Sequence, residues 1–402
     1  MLYGLRGLVV IRVGMMLSFD SAWLGGVNYF RNLLTAVYTL PINEREIEFI
    51  VFVPCSINQD KLLEFPQVKF VKTKILDKYS FLWMVRKIAL RLFSKDFLLE
   101  SLLDTHKIQV LSHSVPLSKA SKIKTISWIP DFQHIHLPNF FSESELLRRD
   151  KEFNNFCQYS NKVVVSSYDA LKDLHQFSSL SKDKSAVLRF AVLPNVNHQG
   201  LQTLDDLKIK YSFSTAYFLL PNQFWIHKNH QVVIKALSIL KKQGLSVLVI
   251  ATGNTVDFRQ PNHFLELIAL IEDLNVGDCF KVLGTVPLND LQALMRHANA
   301  IINPSIFEGW STTVEEAKSL GKKIFLSNIP VHIEQNPVNG LYFNPNDADA
   351  LAQYLKQCWN IESALLLDIE NSFSNAMERY VQFARQYQKI VTHTIANETS
   401  KG

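Results

Sequence analysis

The sequence predicts two doubly wound α/β domains in tandem. Three observations carry this. Short β-rich runs alternate with longer stretches of helical periodicity, the pattern of βαβ units around parallel sheets covered on both faces. The alternation breaks once, over the polar stretch 197–214, and then restarts. A chain of 402 residues, 47% hydrophobic and 20% charged, suits two domains with sizeable cores and excludes wholesale disorder.

The elements follow in order. The apolar run 8–17, broken by Arg12, is too short to span a bilayer and lacks a small-residue cleavage site. It reads as a first buried strand at 9–16, and a helix follows at 27–40. The β-branched and aromatic runs at 47–53 and 68–71 read as strands. Residues 81–103 keep a helical period throughout and read as one long helical stretch. Apolar strands are expected at 108–112 and 123–129, a helix at 143–156, a strand at 162–166, a helix at 168–177 and a strand at 187–193. Residues 197–214 lack a strong period and read as an interdomain connection. Beyond them, strands are expected at 216–220, 247–251, 280–283, 300–303 and 323–326. Helices are expected at 230–242, 264–274, 288–297, 313–320 and 347–359, with a long final helix at 373–392. There is no repeat of 20–50 residues and no low-complexity segment. Ligands of such sheets bind beyond the carboxyl ends of the strands, so the chemistry is expected in the loops that follow them.

The net charge of +5 is unevenly placed. Residues 61–124 hold 13 Lys and Arg against 5 Asp and Glu. Such a patch suits anionic lipid, a phosphorylated ligand, nucleic acid or a solvated surface. Within it, 81–103 interleaves Phe81, Leu82, Val85, Ile88, Leu92 and Phe93 with Arg86, Lys87, Arg91 and Lys95. A basic amphipathic helix of this kind lies on an anionic membrane or covers a core with a basic outer face. The cysteines, Cys55, Cys157, Cys279 and Cys358, form no CxxC and fit a reducing compartment. A cytosolic protein is expected.

The most informative stretch runs Asn303-Pro304-Ser305-Ile306-Phe307-Glu308-Gly309-Trp310-Ser311-Thr312-Thr313-Val314-Glu315-Glu316-Ala317. A buried strand ends at Pro304, a loop carries Glu308 and Gly309, and a helix starts near Thr312 or Thr313. Its first N–H groups lack intrahelical partners and suit a phosphate. Thr312-x-x-Glu315 and Thr313-x-x-Glu316 both match a capping box, which would leave either acid a purely structural task. Glu308 has no such local partner.

This stretch closely resembles the E-x7-E signature of retaining glycosyltransferases of family 4, which have the two-Rossmann-domain (GT-B) fold with an interdomain cleft. The resemblance extends over essentially the whole chain and is strongest at 216–360. It implies an acceptor-binding domain at 1–205, a nucleotide-sugar-binding domain at 206–372 and a last segment, 373–402, crossing back to the first domain. It places Glu308 against the transferred sugar and Glu316 on the ribose hydroxyls. The amides of Ser311, Thr312 and Thr313, with Gly309, would hold the diphosphate. Glu315 stands where relatives often have an apolar residue and is expected on the outer helix face. In Leu220-Pro221-Asn222-Gln223-Phe224-Trp225-Ile226-His227-Lys228, Lys228 matches the family's phosphate-binding Lys. Gln223 stands where the family has Arg and offers a donor without charge. Gly25-Gly26 resembles the Gly-rich loop that faces the donor. In Trp128-Ile129-Pro130-Asp131-Phe132-Gln133-His134, Asp131 and His134 stand near the family's His-Asp pair.

The resemblance implies transfer of a sugar, with retention, from a nucleotide-sugar donor to a glycan or lipid-linked acceptor in bacterial surface polysaccharide synthesis. No metal and no cofactor is expected, and no nucleic-acid partner. The same architecture serves sugar-nucleotide epimerases, phosphorylases and non-catalytic sugar-binding subunits. The expected place is the cytoplasm, at the inner face of the cell membrane.

Overall fold

The computed structural model describes residues 10–17, 24–59, 62, 65, 67–93, 95–118, 121–193, 202–359 and 369–396. The chain divides into two units, one within Met1–Phe132, Ser144–Ala191 and Arg379–Gly402, the other within Gln133–Glu143 and Val192–Glu378. The second unit thus begins before the expected boundary at 205 and takes a short segment out of the first half. Residues 18–23, part of the expected Gly-rich loop, and 194–201, part of the expected connection, lie outside the described residues.

The first unit holds a parallel sheet of β1 (Ile11–Met16), β2 (Ile47–Pro54), β3 (Lys69–Thr73), β4 (Val110–Ser112), β5 (Lys124–Ile129), β6 (Lys162–Val165) and β7 (Ser185–Val187). Their order is β3-β2-β1-β4-β5-β6-β7, so the winding reverses between β1 and β4. In β2, Phe49, Ile50, Val51, Phe52 and Val53 are all buried, as a strand covered on both faces requires. Helix α1 (Leu24–Thr39) packs with Leu33, Leu34, Ala36 and Val37 inward. Gly25 and Gly26 therefore lie in its first turn, where a loop before the helix was expected.

The stretch 81–103 is two helices, α2 (Phe81–Phe93) and α3 (Phe97–Thr105). Asp96 causes the break. Its Oδ1 accepts from Leu99 N–H at 3.2 Å, capping α3, while Oδ2 pairs with Arg86 at 2.7 Å. The expected strand at 187–193 is the short edge strand β7, and residues 188–193 carry no regular structure. Among the described residues β7 pairs only with β6, at the sheet edge.

The second unit repeats the winding with β8 (Phe218–Leu220), β9 (Val249–Thr252), β10 (Phe280–Gly284), β11 (Ile301–Asn303), β12 (Ile324–Ser327) and β13 (Gly340–Phe343), in the order β10-β9-β8-β11-β12-β13. Alternate strand residues feed two separate cores. Phe218, Leu220, Val249 and Ile302 meet Val233, Ala236 and Leu237 of α8 (His230–Lys242). Leu219, Ile250 and Ile301 meet Leu294 of α10 (Leu288–His297) and Val314 of α11 (Thr312–Ser319). Helix α9 (His263–Asp273) joins the first core through Leu267 and Ile271.

Two elements were not anticipated here: β13, four residues long, and α12 (Pro330–Gln335). The polar stretch expected as a connection contains α7 (Leu204–Tyr211). A capping box starts it: Thr203 Oγ1 accepts from Asp206 N–H, and the Asp206 carboxylate accepts from Thr203 N–H. Only Leu207 is buried, too few apolar contacts to show a period.

The final helix, α14 (Ile369–Ala396), joins the first unit from Arg379 onward. Phe383, Ala384, Tyr387 and Val391 form a buried stripe at helical spacing. Tyr380 donates to Asn32 O at 2.9 Å, and Arg385 pairs with Glu44 at 2.9 Å.

Gly253 follows β9 at φ +140°, and a Cβ there would lie 2.8 Å from the Asn222 carbonyl carbon and 2.9 Å from Gln223 Cα. Gly253→Ala is expected to lower unfolding stability by about 1–3 kcal/mol, through backbone strain and displacement of the 221–223 loop. Urea unfolding checks this, and an unchanged midpoint would mean the loop yields at no cost.

Candidate active site

The loops after β8, β11 and β12 converge at the carboxyl end of the second sheet. Asn222, just past β8, donates to Asn303 Oδ1 at 3.1 Å, and Thr313 Oγ1 donates to Asn222 Oδ1 at 3.3 Å. Asn303 donates in turn to Ser311 Oγ at 2.7 Å. These buried amides and hydroxyls lock two loops and a helix start together. Ile306 N–H donates to His227 O at 2.9 Å, and Asn229 Nδ2 donates to Pro304 O at 3.1 Å. Asn229 takes a left-handed conformation, φ 56°, to end the short turn Ile226–Lys228 before α8.

These ties bring Lys228 onto Glu308. Nζ lies 2.6 Å from Oε1, with the side chains 14% and 10% exposed. Ser305 Oγ donates to the same oxygen at 2.7 Å. Burial pushes the Glu308 carboxyl up, but the Lys228 ammonium and the hydrogen bonds from Lys228 and Ser305 outweigh it and hold the pKa below the usual range. Glu308 is therefore a carboxylate. One Lys228 N–H is committed to it, leaving two for another acceptor. Behind the pair, buried His332 takes a pKa of about 4 through burial and stays neutral. Its Nδ1 lies 3.0 Å from Ser327 O.

Helix α11 is capped by Ser311, whose Oγ accepts from Val314 N–H at 3.4 Å. Neither expected capping box forms. The Ser311 amide is also not available to a ligand, because it donates to Gln335 Oε1 at 3.1 Å. That corrects the expectation for Ser311 and leaves the amides of Thr312 and Thr313, which find no acceptor among the described residues. Gln335 also donates to Ser311 O at 2.9 Å and Glu315 Oε1 at 3.0 Å. Glu315 is thus buried, 2% exposed, with Lys318 at 3.1 Å, against its expected place on the outer face. Its carboxylate is affordable inside because both oxygen-facing neighbours are donors.

Glu316 differs from both other acids. Its carboxylate has no side-chain partner among the described residues, and burial raises its pKa to about 7. Gln223 accepts from Asn254 N–H through its side-chain carbonyl at 2.8 Å. Gly309 sits in the loop between Glu308 and the helix.

The remaining expected site residues are dispersed. Asp131 belongs to the first unit, where Arg149 lies 3.8 Å away. Gly25 and Gly26 belong to that unit too. His134 is buried in the short helix α4 (Gln133–His136), which groups with the second unit. That segment is held by Gln133, which accepts from Arg259 at 2.8 Å, and by Phe141 under the Arg259 guanidinium at 4.9 Å. His136 meets the signature loop, with its ring 5.2 Å from that of Phe307. Nothing in the local sequence distinguishes the two histidines. Gln335 was missed as well, since a glutamine 24 residues from its partner leaves no spacing signal.

Each unit is a doubly wound parallel α/β sheet, and the second sets an ion pair and a helix start at the carboxyl edge of its sheet. Residues 212–377 match the family described as glycosyl transferases group 1. The O-antigen chain mannosyltransferase RfbU of Salmonella typhimurium strain LT2 is 31% identical over 269 residues, 67% of each chain. The chain belongs to the glycosyl transferases group 1 family and is a glycosyltransferase. Its fold is shared with a glycosyltransferase of Rickettsia africae (TM-score 0.65, 18% identity, 96% of this chain and 99% of that one). It is shared also with HepE of Anabaena, crystallised with UDP and glucose (TM-score 0.67, 16% identity, 95% and 99%).

Proposed function

We propose that the chain transfers a sugar, with retention of anomeric configuration, from a nucleoside diphosphate donor to a glycan or lipid-linked acceptor. The setting is bacterial surface polysaccharide synthesis at the inner face of the cell membrane. The observation that carries this is the Lys228–Glu308 pair set beside the open amides of Thr312 and Thr313. The likeness to an O-antigen chain mannosyltransferase supports the setting and a hexose donor.

In this reading Thr312 and Thr313 N–H and the two remaining Lys228 N–H groups hold the diphosphate, and the Gln223 amide adds a neutral donor. Glu316 accepts from the ribose hydroxyls. Glu308 orients the sugar. The bond from the anomeric carbon to the diphosphate oxygen breaks, the acceptor oxygen bonds to that carbon on the same face, and its proton passes to the departing phosphate. Catalysis rests on positioning and on stabilising charge at the diphosphate. Asp131 and His134 are assigned to sugar or acceptor contacts.

No metal enters this mechanism, so transfer is expected to persist in EDTA with a product that keeps the donor's configuration. Anomeric couplings in the NMR spectrum of the product check the second point. An inverted product, or loss of activity in chelator with rescue by Mg²⁺, would overturn the assignment.

Peripheral membrane binding is part of the same proposal. Among the described residues no helix is long and apolar enough to cross a membrane. Helix α2, however, has no buried residue. Phe81 is 74% exposed and Leu92 70%. The helix carries no acid, and Lys87 and Arg91 flank its apolar residues. Each cation near an anionic surface is worth about 1 kcal/mol, screened within a Debye length. Flotation is expected to show binding to anionic vesicles that weakens with salt. Replacing Lys87 and Arg91 by Gln should abolish it, whereas equal partitioning into neutral vesicles would leave α2 a solvated face.

A further inference from the structure

The segment Gln133–Glu143 groups with the second unit, although its neighbours in the chain, Phe132 and Ser144, belong to the first. Its regular structure is only the single turn of α4 and a 3-10 turn at Pro138–Phe140. Elements this short do not hold their shape alone, so the fold must supply an anchor.

The anchor is Arg259, in the loop after β9 and 126 residues along the chain from Gln133. Its Nη1 donates to Gln133 Oε1 at 2.8 Å, and its guanidinium lies 4.9 Å from the centre of the Phe141 ring, so it holds the segment near both ends. The same guanidinium lies 5.4 Å from the Trp225 ring and 5.3 Å from that of Phe258. Its Nε is 3.7 Å from Asp257 Oδ1, with the two side chains 6% and 1% exposed. A buried ion pair is a costly filler, and apolar side chains of similar volume would pack as well. What the planar fork adds is direction, since it fixes several partners at set angles.

Asp257 sets Arg259 on the turn that carries Lys228. Its Oδ1 accepts from Arg259 N–H at 3.0 Å and its Oδ2 from Ile226 N–H at 3.2 Å. Ile226 opens the turn that ends in Lys228. On the other side of Arg259, Gln133 starts α4, and His136 ends it with its ring 5.2 Å from that of Phe307, the residue before Glu308. This chain of contacts runs from the Lys228 turn to the Glu308 loop and includes neither Glu316 nor the Thr312 and Thr313 amides.

We infer that Arg259 is a positioning residue for the transferred sugar. By seating α4 against Phe307 it fixes the loop that aims Glu308. The inference rests on the transferase reading above and adds a residue that acts on the sugar end of the donor and leaves the nucleotide end alone.

Calorimetry on the full chain tests it with GDP-mannose, UDP-glucose, dTDP-glucose and ADP-glucose, each against its own nucleoside diphosphate. The ratio of the two affinities reads what the sugar contributes. Gln133→Leu removes the acceptor and keeps the Arg259–Asp257 pair, so nucleoside diphosphate affinity should stay at the wild-type value. The nucleotide sugar should bind about tenfold more weakly, a change equal to one hydrogen bond. Arg259→Met should do the same, and the double variant should lose no more than the greater single loss, because both remove one tie. Gln133→Glu, which keeps an acceptor for the guanidinium, should keep the wild-type ratio, and it decides the matter with Gln133→Leu should Arg259→Met fail to fold. NMR of ¹³C-labelled histidine reads the seating itself. The His136 resonance, identified with His136→Gln, carries a ring-current shift from Phe307 that should vanish in Gln133→Leu. An unchanged affinity ratio in Gln133→Leu, nucleoside diphosphate affinity that falls in step with nucleotide-sugar affinity, or an unmoved His136 resonance would overturn the inference. A wild type that binds none of these nucleotides would remove the transferase reading, and the inference with it.

Discussion

Replacing Lys228 by methionine is expected to lower turnover about 10²–10³-fold, the usual loss when one group that stabilises developing charge is removed. The same change should destabilise the fold. Glu308 is nearly buried, and its low pKa depends on the ammonium 2.6 Å away. Breaking a buried pair by removing one partner costs about 3–5 kcal/mol, because the other charge stays behind without compensation. The double variant Lys228→Met/Glu308→Gln should therefore regain most of the stability and none of the activity. Urea unfolding and single-turnover rates measured side by side separate the two effects. Full activity in Lys228→Met would remove the residue from the mechanism. Equal stability of single and double variants would mean that Glu308 is relieved by solvent rather than by Lys228.

The second large effect belongs to Glu316. Without the acid, as in Glu316→Gln, nucleoside diphosphate binding should weaken by about 1.5–3 kcal/mol, the range for a hydrogen bond to a charged group. The pH dependence is more diagnostic. In the unliganded protein burial raises the pKa to about 7, so the proton is held more tightly than in the unfolded chain. Ribose hydroxyls donating to the carboxylate favour the ionised form. Binding should then release a proton below about pH 7, and affinity should rise with pH toward that value and level off above it. The contribution to folding runs the other way: the raised pKa favours the folded state while the group is protonated, and this advantage fades as pH rises through about 7. Calorimetry in buffers of different ionisation enthalpy reads the proton release directly. Wild-type protein with no proton release, or Glu316→Gln with unchanged affinity, would take Glu316 out of the nucleotide site.

The second unit's chemistry was legible in part because its residues lie in two short runs. Glu308 and Glu316 fall on one strand–loop–helix unit, and Lys228 falls between a strand and a helix, so each position follows from local periodicity. The pairing of Lys228 with Glu308 does not. It spans 80 residues and depends on β8 and β11 being neighbours in the sheet.

By itself the sequence determined the parallel α/β class, since continuous apolar strands between amphipathic helices leave few other ways to bury both sheet faces. It also determined the identity of the signature loop. Tertiary structure decided which polar groups were already satisfied. Ser311 looked like a phosphate donor until Gln335 occupied its amide, and Glu315 looked solvated until Gln335 and Lys318 drew it inside. It also decided that 81–103 breaks at Asp96, because Arg86 holds the carboxylate that caps α3. The physical reason is common to all three. Periodicity reports the average burial of one element along its own axis. A hydrogen-bond partner or counter-ion comes from wherever the chain returns, and only the packed structure brings that group within reach.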